Sequence, residues 1–408
     1  MRQSQLFGGT RRETPKGEES KNAILLIRGG YVNKTMAGVY AYLPLGLRTL
    51  RKISDIVREE MDALPGVQEV LLPALQPREL WEESGRWQEY VDDVMYTTEH
   101  DTIGLGPTHE EIVSDLFRQY YSSYKDLPQA VYQIQTKFRR ELRAKSGLLR
   151  GREFLMKDMY SFHLTETDLL DFYEKVREAY LRVYTRCGLE AIYTEASGGL
   201  FSQYSHEFQV INPAGEDTIY LNAAGNLARN KEIVSSETDP ELLQFCGGEV
   251  RKAQATEAGN IFPLNHKFST PMGLTVSSEA GESTEPWMGC YGIGISRLMG
   301  VMAELFGDLE KGSLPWPAAV APFAMHLLDL TSDHQGEKLY ADLQKQGADV
   351  LYDDRERSAG EKFADADLVG APVRLIISKR SLEQGGVEVR KGGETTVKTL
   401  EELKQTIV

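Results

Sequence analysis

Between Lys137 and Phe162 the chain reads KFRRELRAKSGLLRGREFLMKDMYSF. Eight basic side chains stand there: Lys137, Arg139, Arg140, Arg143, Lys145, Arg150, Arg152 and Lys157. They face only three acids, Glu141, Glu153 and Asp158, in a protein whose formal net charge is −15. Clustered guanidiniums suit phosphate, which they grip through two parallel hydrogen bonds. The plain alternative for any such run is a solvated charged hairpin. Two other stretches carry chemistry of the same kind. Gly292 and Gly294 lead into Arg297 in YGIGISR. Glycines there let a ligand approach a helix N-terminus, and an arginine opening an apolar helix needs an anionic partner. The spacing is not that of a dinucleotide or Walker loop. In GPTHEE, Thr108 and Glu110 offer a hydroxyl and a carboxylate, a pair suited to an amine. Thr108 with Glu111 also reads as a capping box for the helix that follows. His206, in SHEF, is a lone histidine of the sort that more often has a structural role.

The elements that must hold these groups follow from periodicity. YQIQTKF and REFLMKDMYSF read as the two arms of an antiparallel hairpin with a polar turn at Ser146-Gly147. Leu47, Leu50, Ile53, Ile56, Val57, Met61 and Leu64 recur at helical spacing and Pro65-Gly66 ends the pattern. VQEVLLPALQP reads as one strand, and Pro73 inside it points to an edge or an interface. Residues 81–96 read as one amphipathic helix, followed by a weak strand at VMYTT. EEIVSDLFRQYYSSY and residues 166–187 are further helices, the second stopped by Gly188. AIYTEASGGLFSQYSHEFQVI, EDTIYLN, GNIFPLNHKFS and MGLTVSS read as strands and turns. Residues 223–257 mix charge with small side chains and read as a connector with one helix. Residues 285–304 read as a strand entering an apolar helix.

Leu314-Pro315-Trp316-Pro317 marks a boundary. Beyond it strands at VAPFAMHLLDL, ADVLYDD, PVRLIIS and GVEVRK alternate with helices at EKLYADLQKQ, EKFADADLVG and LEELKQTIV, the pattern of a small α/β domain. The length fits two or three domains. The chain has 408 residues, 41% hydrophobic and 26% charged, enough for a sizeable core. No apolar run reaches membrane-spanning length, and the first residues lack the apolar core of a signal peptide. Three widely spaced cysteines, Cys187, Cys246 and Cys290, give no disulfide framework and no zinc spacing, and they suit a reducing compartment. The acidic balance argues against indiscriminate nucleic-acid binding but leaves room for a nucleic acid held at a few basic patches.

Taken together and in order, these stretches resemble class II aminoacyl-tRNA synthetases, and within that class the bacterial prolyl enzymes. The segment 38–77, ending in helix and proline-bearing strand, is similar to motif 1. Phe138-Arg139-Arg140-Glu141 with Arg150 and Phe154, within residues 132–162, is similar to motif 2. Gly292, Gly294 and Arg297, within residues 287–305, are similar to motif 3. GPTHEE, RGREFLMKD, SHEF and MGCYGIGISR fit the prolyl group, and the likeness covers nearly the whole chain. It implies an α+β catalytic domain over residues 1–313, built on an antiparallel sheet flanked by helices. It also implies an α/β anticodon-binding domain over 314–408.

The resemblance implies a reaction as well. Proline and ATP give prolyl-adenylate and pyrophosphate, and the prolyl group passes to the 3′ end of tRNA(Pro). By that likeness Arg139 and Arg297 are catalytic, and Arg139, Glu141, Arg150, Phe154 and Arg297 bind ATP with Mg2+. Thr108, Glu110, Arg139 and His206 bind proline. Arg143, Lys145, Asp354, Arg355 and Lys362 contact tRNA. A cytoplasmic homodimer, not associated with a membrane, is implied too. Many bacterial relatives insert an editing domain between motifs 2 and 3; here Asp158 to Gly289 is too short to hold both that domain and the core strands, so a short connector at 223–257 stands in its place. SGGLFSQYSHEF departs from the usual Gly-Gly-Ser spacing, Asn260 stands where the family usually has histidine, and ERSAGEKFA varies an Arg-Pro-Gly segment. Two alternatives remain at this point. One is another class II specificity such as threonyl, although no convincing Cys/His/His zinc set is present. The other is a non-catalytic RNA-binding or regulatory relative, which need not keep all five ATP-site residues.

Overall fold

The two arms of the basic hairpin do pair. In the computed structural model, which describes every residue except Arg143, Lys145, Leu200, Gln203 and 407–408, strands Gln129–Phe138 and Glu153–His163 run antiparallel with Lys137 opposite Phe154. Side chains alternate across a strand, so Phe154, Met156 and Asp158 share one face. Trp287–Ile293 pairs antiparallel on the other side of Glu153–His163, with Gly292 opposite Asp158. Arg251–Asn265 follows, with Asn260 opposite Gly292. These four strands form the centre of a nine-stranded sheet. At one end Val67–Glu69 adds a parallel edge strand. At the other, Ala191–Ser197, Tyr204–Ile211, Asp217–Leu221, Leu227–Asn230 and Arg251–Asn265 pair in a circuit that closes on itself.

One long helix, Glu166–Arg186, covers a face of this sheet. Thr165 caps it by accepting from the Asp168 N–H, and Gly188 turns the chain beyond it at φ +76°. Leu169, Phe172, Tyr173, Val176, Ala179, Tyr180, Val183 and Tyr184 form its buried stripe at spacings of three and four. Burying each large apolar side chain in such a stripe contributes about 1.5–3 kcal/mol. A small three-stranded sheet of Leu75–Pro77, Tyr96–Thr98 and Ile103–Leu105 lies within the same unit and carries the loop into helix Glu110–Tyr120.

Residues 37–39 and 53–301 form this unit; residues 1–36, 40–52 and 302–408 form a second. The second is built on a five-stranded sheet. Met325–Asp329, Val350–Asp353 and Val373–Ile377 are parallel, and Val387–Lys391 and Glu394–Lys398 extend it as an antiparallel hairpin. Helices Gly336–Lys345 and Ala359–Val369 supply Leu339, Leu343 and Ala366 to its core.

The structure corrects four readings of local structure. VQEVLLPALQP is not one strand: it divides into Val67–Glu69 and Leu75–Pro77, and Pro73, which has no N–H for a ladder, lies between them. Residues 81–96 hold two short helices, Arg78–Glu83 and Trp87–Asp93, because Gly85 at φ +77° breaks the run. MGLTVSS forms only the two-residue strand Val276–Ser277. Residues 223–257 include the expected helix, Pro240–Phe245, but also strand Leu227–Asn230 and the start of Arg251–Asn265.

Candidate active site

The faces and loops just described enclose a cavity of about 450 Å3. Its wall includes Arg139, Glu141, Arg150, Phe154 and Arg297. The hairpin therefore joins the glycine-rich segment, although Arg150 and Arg297 lie 147 positions apart in the chain. Arg139 leaves the end of strand Gln129–Phe138. Both Nε and Nη2 donate to the Pro107 carbonyl at 3.2 Å, and its guanidinium lies 5.4 Å from the centre of the Phe154 ring. Arg150 pairs with Glu141 at 2.5 Å and with Glu216 at 2.6 Å. Arg297 donates to the carbonyls of Leu149 and Glu257 at 2.9 and 2.8 Å, and to the Glu257 carboxylate at 3.1 Å. The result is a row of three guanidiniums beside one exposed aromatic face, an arrangement suited to a purine base and several phosphate oxygens.

Backbone proximity makes this possible. Strand Arg251–Asn265 comes so close to its neighbours at Gly259 that a Cβ there would meet the Tyr184 hydroxyl at 2.3 Å and the Gly292 carbonyl at 2.8 Å. Leu155 N–H is tied to Ser296 Oγ at 2.8 Å, which fixes the turn carrying Arg297 against the hairpin.

The wall of the cavity has further members. Thr108, Asp158, Phe201, Asn260, Phe262 and Cys290 line it. Thr108 does not cap helix Glu110–Tyr120. His109 is the N-cap residue, without a side-chain cap bond, and the Thr108 hydroxyl donates instead to Glu110 Oε2 at 2.6 Å. Glu110 itself is fully buried behind that wall. Arg86 lies 3.3 Å from Oε2, and the Cys290 thiol donates to Oε1 at 3.2 Å. Arg86 also holds Glu111 at 2.9 Å and stacks 4.2 Å from the centre of the Tyr90 ring. Burial pushes Glu111 above the usual carboxylate range despite Arg86, and burial followed by the charge of Glu110 pushes the Cys290 thiol well up.

A second buried network lies beside it. Lys137 Nζ reaches Asp158 at 2.8 Å and His109 Nδ1 at 2.6 Å. Burial, then the neighbouring Lys137, lowers His109 to about 4, so the ring is neutral and can accept from the ammonium.

His206 is not among the cavity-lining residues. It is on strand Tyr204–Ile211, stacked 4.6 Å from Tyr193 and bonded through Nδ1 to the Tyr173 hydroxyl at 2.9 Å on the helix side. Arg143 and Lys145 lie outside the described residues. Three basic residues of the hairpin have structural partners: Arg140 donates to the Val91 carbonyl, Arg152 to the Glu141 carbonyl, and Lys157 to the Tyr180 hydroxyl and Tyr291 carbonyl.

In the second unit Asp354 and Arg355 line a concavity with the N-terminal residues Ser4, Gly8 and Gly9. Asp354 accepts from Ser4 N–H and Oγ at 3.0 and 2.7 Å. Arg355 pairs with Asp353 and Asp365 at 2.7 and 2.8 Å. Lys362 is only 3% exposed and donates to the carbonyls of Asp329 and Asp353.

Sequence reading missed Asp158, Glu216, Glu257 and Cys290 as members of the site. The signal for Asp158 was available, because it continues the alternation that begins at Phe154.

The class is defined by two matches. Residues 94–306 match the family described as tRNA synthetase class II core domain (G, H, P, S and T), and residues 318–408 match the anticodon binding domain. Full-length relatives narrow it. A protein named proline–tRNA ligase from Maricaulis maris is 40% identical over 427 residues, spanning 97% of this chain and 96% of its own. One of the same name from Agrobacterium fabrum is 39% identical over 438 residues, spanning 98% of each. The chain belongs to the proline–tRNA ligase family. A further relative of that name, from Geobacillus sp., is 34% identical across all of this chain and 99% of its own. That alignment runs to 566 residues against the 408 here, so that relative carries inserted sequence.

Solved structures give the same fold. The Cryptosporidium parvum prolyl-tRNA synthetase complexed with halofuginone and AMPPNP superposes with a TM-score of 0.75 at 18% identity, over 95% of this chain and 74% of that one. The Giardia lamblia enzyme in complex with prolyl-adenylate gives 0.74 at 19% identity, over 93% and 74%. The full-length relatives support the proline reading and not the threonyl or non-catalytic alternatives.

Proposed function

We propose that this chain activates proline with ATP and transfers the prolyl group to tRNA(Pro), with the residue roles that follow. The observation that carries the reading is the convergence of Arg139, Arg150 and Arg297 from three separate elements onto the cavity that also exposes Phe154. A proline carboxylate oxygen attacks the α-phosphorus of ATP. The bond to the β-phosphate oxygen breaks and pyrophosphate leaves. Negative charge builds on the phosphoryl oxygens in that step, and fixed guanidiniums stabilise it more than they stabilise the ground state. Arg139 would touch the proline carboxylate and the α-phosphate, while Arg150 and Arg297 hold the outer phosphates. Phe154 would stack on adenine and Glu141 would accept from its amino group. In the second step the terminal ribose hydroxyl of tRNA attacks the prolyl carbonyl and AMP leaves.

Thr108 would bind the substrate amine directly, and Glu110 would act on it through charge and through the Thr108 hydroxyl. His206, on the helix side of its strand, would support the pocket wall through Tyr173. Mg2+ would neutralise phosphate charge. Among the described residues no three His, Cys, Asp or Glu side chains form a ready metal site, which suits an ion that arrives with ATP and meets one carboxylate such as Glu257. Arg143 and Lys145 would meet the tRNA acceptor end. Asp354 and Arg355 would read the anticodon from the second unit, with Lys362 holding their strand end from beneath.

Support for a homodimer comes from the free edge of Val67–Glu69. Near it Leu71 is 77% exposed, and an apolar groove is lined by Val70, Leu72, Leu116 and Tyr120. Support for a cytoplasmic location comes from three free, buried cysteines. No helix is long and apolar enough to cross a membrane among the described residues. The short 223–257 segment supports the absence of an editing domain. Mischarged alanyl-tRNA(Pro) should therefore persist in the presence of the enzyme, and enzyme-dependent hydrolysis would refute that.

The main test is ATP–pyrophosphate exchange across all amino acids. Proline should dominate and Arg139→Ala should abolish the signal. Exchange with threonine alone, or with no amino acid, would overturn the proposal.

A further inference from the structure

Val350–Asp353 is the edge strand of the five-stranded sheet in the second unit. An open edge calls for a cover, and residues 1–3 supply one. The Tyr352 N–H donates to the Met1 carbonyl at 2.9 Å, and Arg2 faces Tyr352 in a parallel bridge. Gln3 is buried, and its Oε1 accepts from His326 Nε2 at 2.7 Å. The Arg2 guanidinium lies 5.3 and 5.6 Å from the centres of the Tyr340 and Tyr352 rings. Covering the edge explains these contacts. It does not explain the residues that follow.

Past the edge, the same segment ties down two carboxylates. The Ser4 N–H donates to Asp354 Oδ1 at 3.0 Å and the Ser4 hydroxyl to Oδ2 at 2.7 Å. Burial works against the charge of Asp354, but the Ser4 bonds outweigh it and hold the carboxyl below its usual range. Gly8 and Gly9, at φ +95° and +120°, then turn the segment to helix Ala359–Val369. There the Thr10 hydroxyl donates to Asp365 Oδ1 at 2.6 Å, and Asp365 Oδ2 accepts from Arg355 Nη2 at 2.8 Å. One hydroxyl thus fixes Asp354 and the other fixes the partner of Arg355, the two side chains assigned above to the anticodon. Both stand on residues 354–358, which form neither helix nor strand. Side chains on such a loop need outside support to be in place before a ligand arrives, because ordering them on binding costs affinity. The segment does not pack down over them. A concavity of about 490 Å3 stays open between residues 3–10 and 354–357. Phe7 is 76% exposed, and so is 60% of the Arg357 side chain.

We propose that residues 2–10 are part of the tRNA-reading site, with Ser4 the positioning residue for Asp354 and Thr10, through Asp365, the positioning residue for Arg355. The inference rests on tRNA(Pro) being the partner of this unit. It assigns two jobs to one segment: Arg2 and Gln3 anchor it along the sheet edge, and the two hydroxyls hold the reading side chains from that anchor.

The test is aminoacylation of a tRNA(Pro) transcript by the full chain carrying Ser4→Ala or Thr10→Val, with Ser4→Thr and Thr10→Ser as controls. Loss of either hydroxyl should raise the KM for tRNA(Pro) about 2- to 10-fold, the effect of one ordinary hydrogen bond, with kcat little changed. The controls keep a hydroxyl and should restore the wild-type KM. On a transcript whose anticodon bases are replaced, wild type and variants should share one KM, because the two effects act through the same contacts. A shift that persists on that transcript would overturn the proposal. So would an unshifted KM for tRNA(Pro), or an equal loss in proline-dependent ATP–pyrophosphate exchange, which would mean general loosening. If the variants do not fold, hydrogen exchange of residues 2–10 in wild type decides instead. Slower exchange with saturating tRNA(Pro) supports the proposal, and unchanged exchange overturns it. A wild type that exchanges with proline but charges no tRNA(Pro) would overturn the tRNA reading and this proposal together. Normal wild-type charging with unshifted variants would overturn only the roles of Ser4 and Thr10.

Discussion

Glu207→Gln should flatten part of the pH dependence of stability. Glu207 is 8% exposed, on strand Tyr204–Ile211 opposite Asn260. Gln209 Nε2 and Asn230 Nδ2 donate to its Oε2 at 2.8 and 3.0 Å, and it has no ion pair among the described residues. Burial, reinforced by the charge of Glu257, pushes its carboxyl well above the usual carboxylate range. The sign follows from that direction. In the window between the ordinary carboxylate pKa and the raised folded value, the folded state keeps a proton that the unfolded state has released. Stability is therefore full below the ordinary pKa and declines as pH rises toward the folded one. The slope is about 1.4 kcal/mol per pH unit, so two units inside the window remove about 2–3 kcal/mol.

Glutamine keeps the shape of the protonated acid and cannot ionise. The variant should match wild type in acid and become the more stable protein toward neutral pH, by about 2–4 °C in Tm for each kcal/mol gained. Thermal or urea unfolding at stepped pH measures it. Parallel curves for the two proteins would refute the reasoning, because they would mean that Glu207 is ionised in the fold. A second readout concerns ATP. Glu257 holds Arg297, so ionising Glu207 adds repulsion beside the phosphate site. The wild-type KM for ATP should climb in alkali and that of the variant should hold steady.

Arg86→Met removes the one guanidinium between Glu110 and Glu111 and should destabilise the protein by about 3–5 kcal/mol, seen in urea unfolding. Gly259→Ala places a methyl 2.3 Å from the Tyr184 hydroxyl and should cost about 1–3 kcal/mol; a melt identical to wild type would contradict the packing. Phe154→Ala removes the stacking face and should raise the KM for ATP about tenfold, since a base–aromatic stack contributes about 1–3 kcal/mol. Glu216→Gln frees Arg150 from a half-exposed pair worth about 0.2–1 kcal/mol and should lower the KM for ATP by up to about fivefold.

Much of the fold was legible where one physical signal dominated. The alternation of YQIQTKF and REFLMKDMYSF marks two paired strands, and the spacing from Leu169 to Tyr184 marks the helix that covers them. The strand that begins at Arg251 was not legible. RKAQATEAGN carries charge and small residues because the strand makes successive pairings with several partners and must admit close backbones at Gly259. Glu394–Lys398 was missed for the opposite reason: it is an exposed edge strand with almost no apolar face. Arg139 and Arg150 could be read from local charge, and Arg297 from its place after two glycines at the head of an apolar helix. Glu216, Glu257 and Cys290 could not, since strand register and turns, not nearby sequence, bring them to the cavity. Thr108 looked like a cap because its spacing to Glu111 fits a capping box, but its hydroxyl prefers the nearer carboxylate of Glu110.

The partners of the three arginines differ in a way that bears on how ATP enters. Arg139 is held by a neutral carbonyl, which fixes its position without an ion pair among the described residues. Arg297 is held by two carbonyls and one carboxylate. Arg150 is held between two carboxylates, and one of these, Glu216, also accepts from Ser146 in the hairpin loop at 2.9 Å. An incoming triphosphate therefore finds Arg139 ready and must compete with Glu141 and Glu216 for Arg150. Winning that competition exchanges two carboxylate pairs of Arg150 for a phosphate pair, while Glu216 still accepts from Ser146 through its other oxygen.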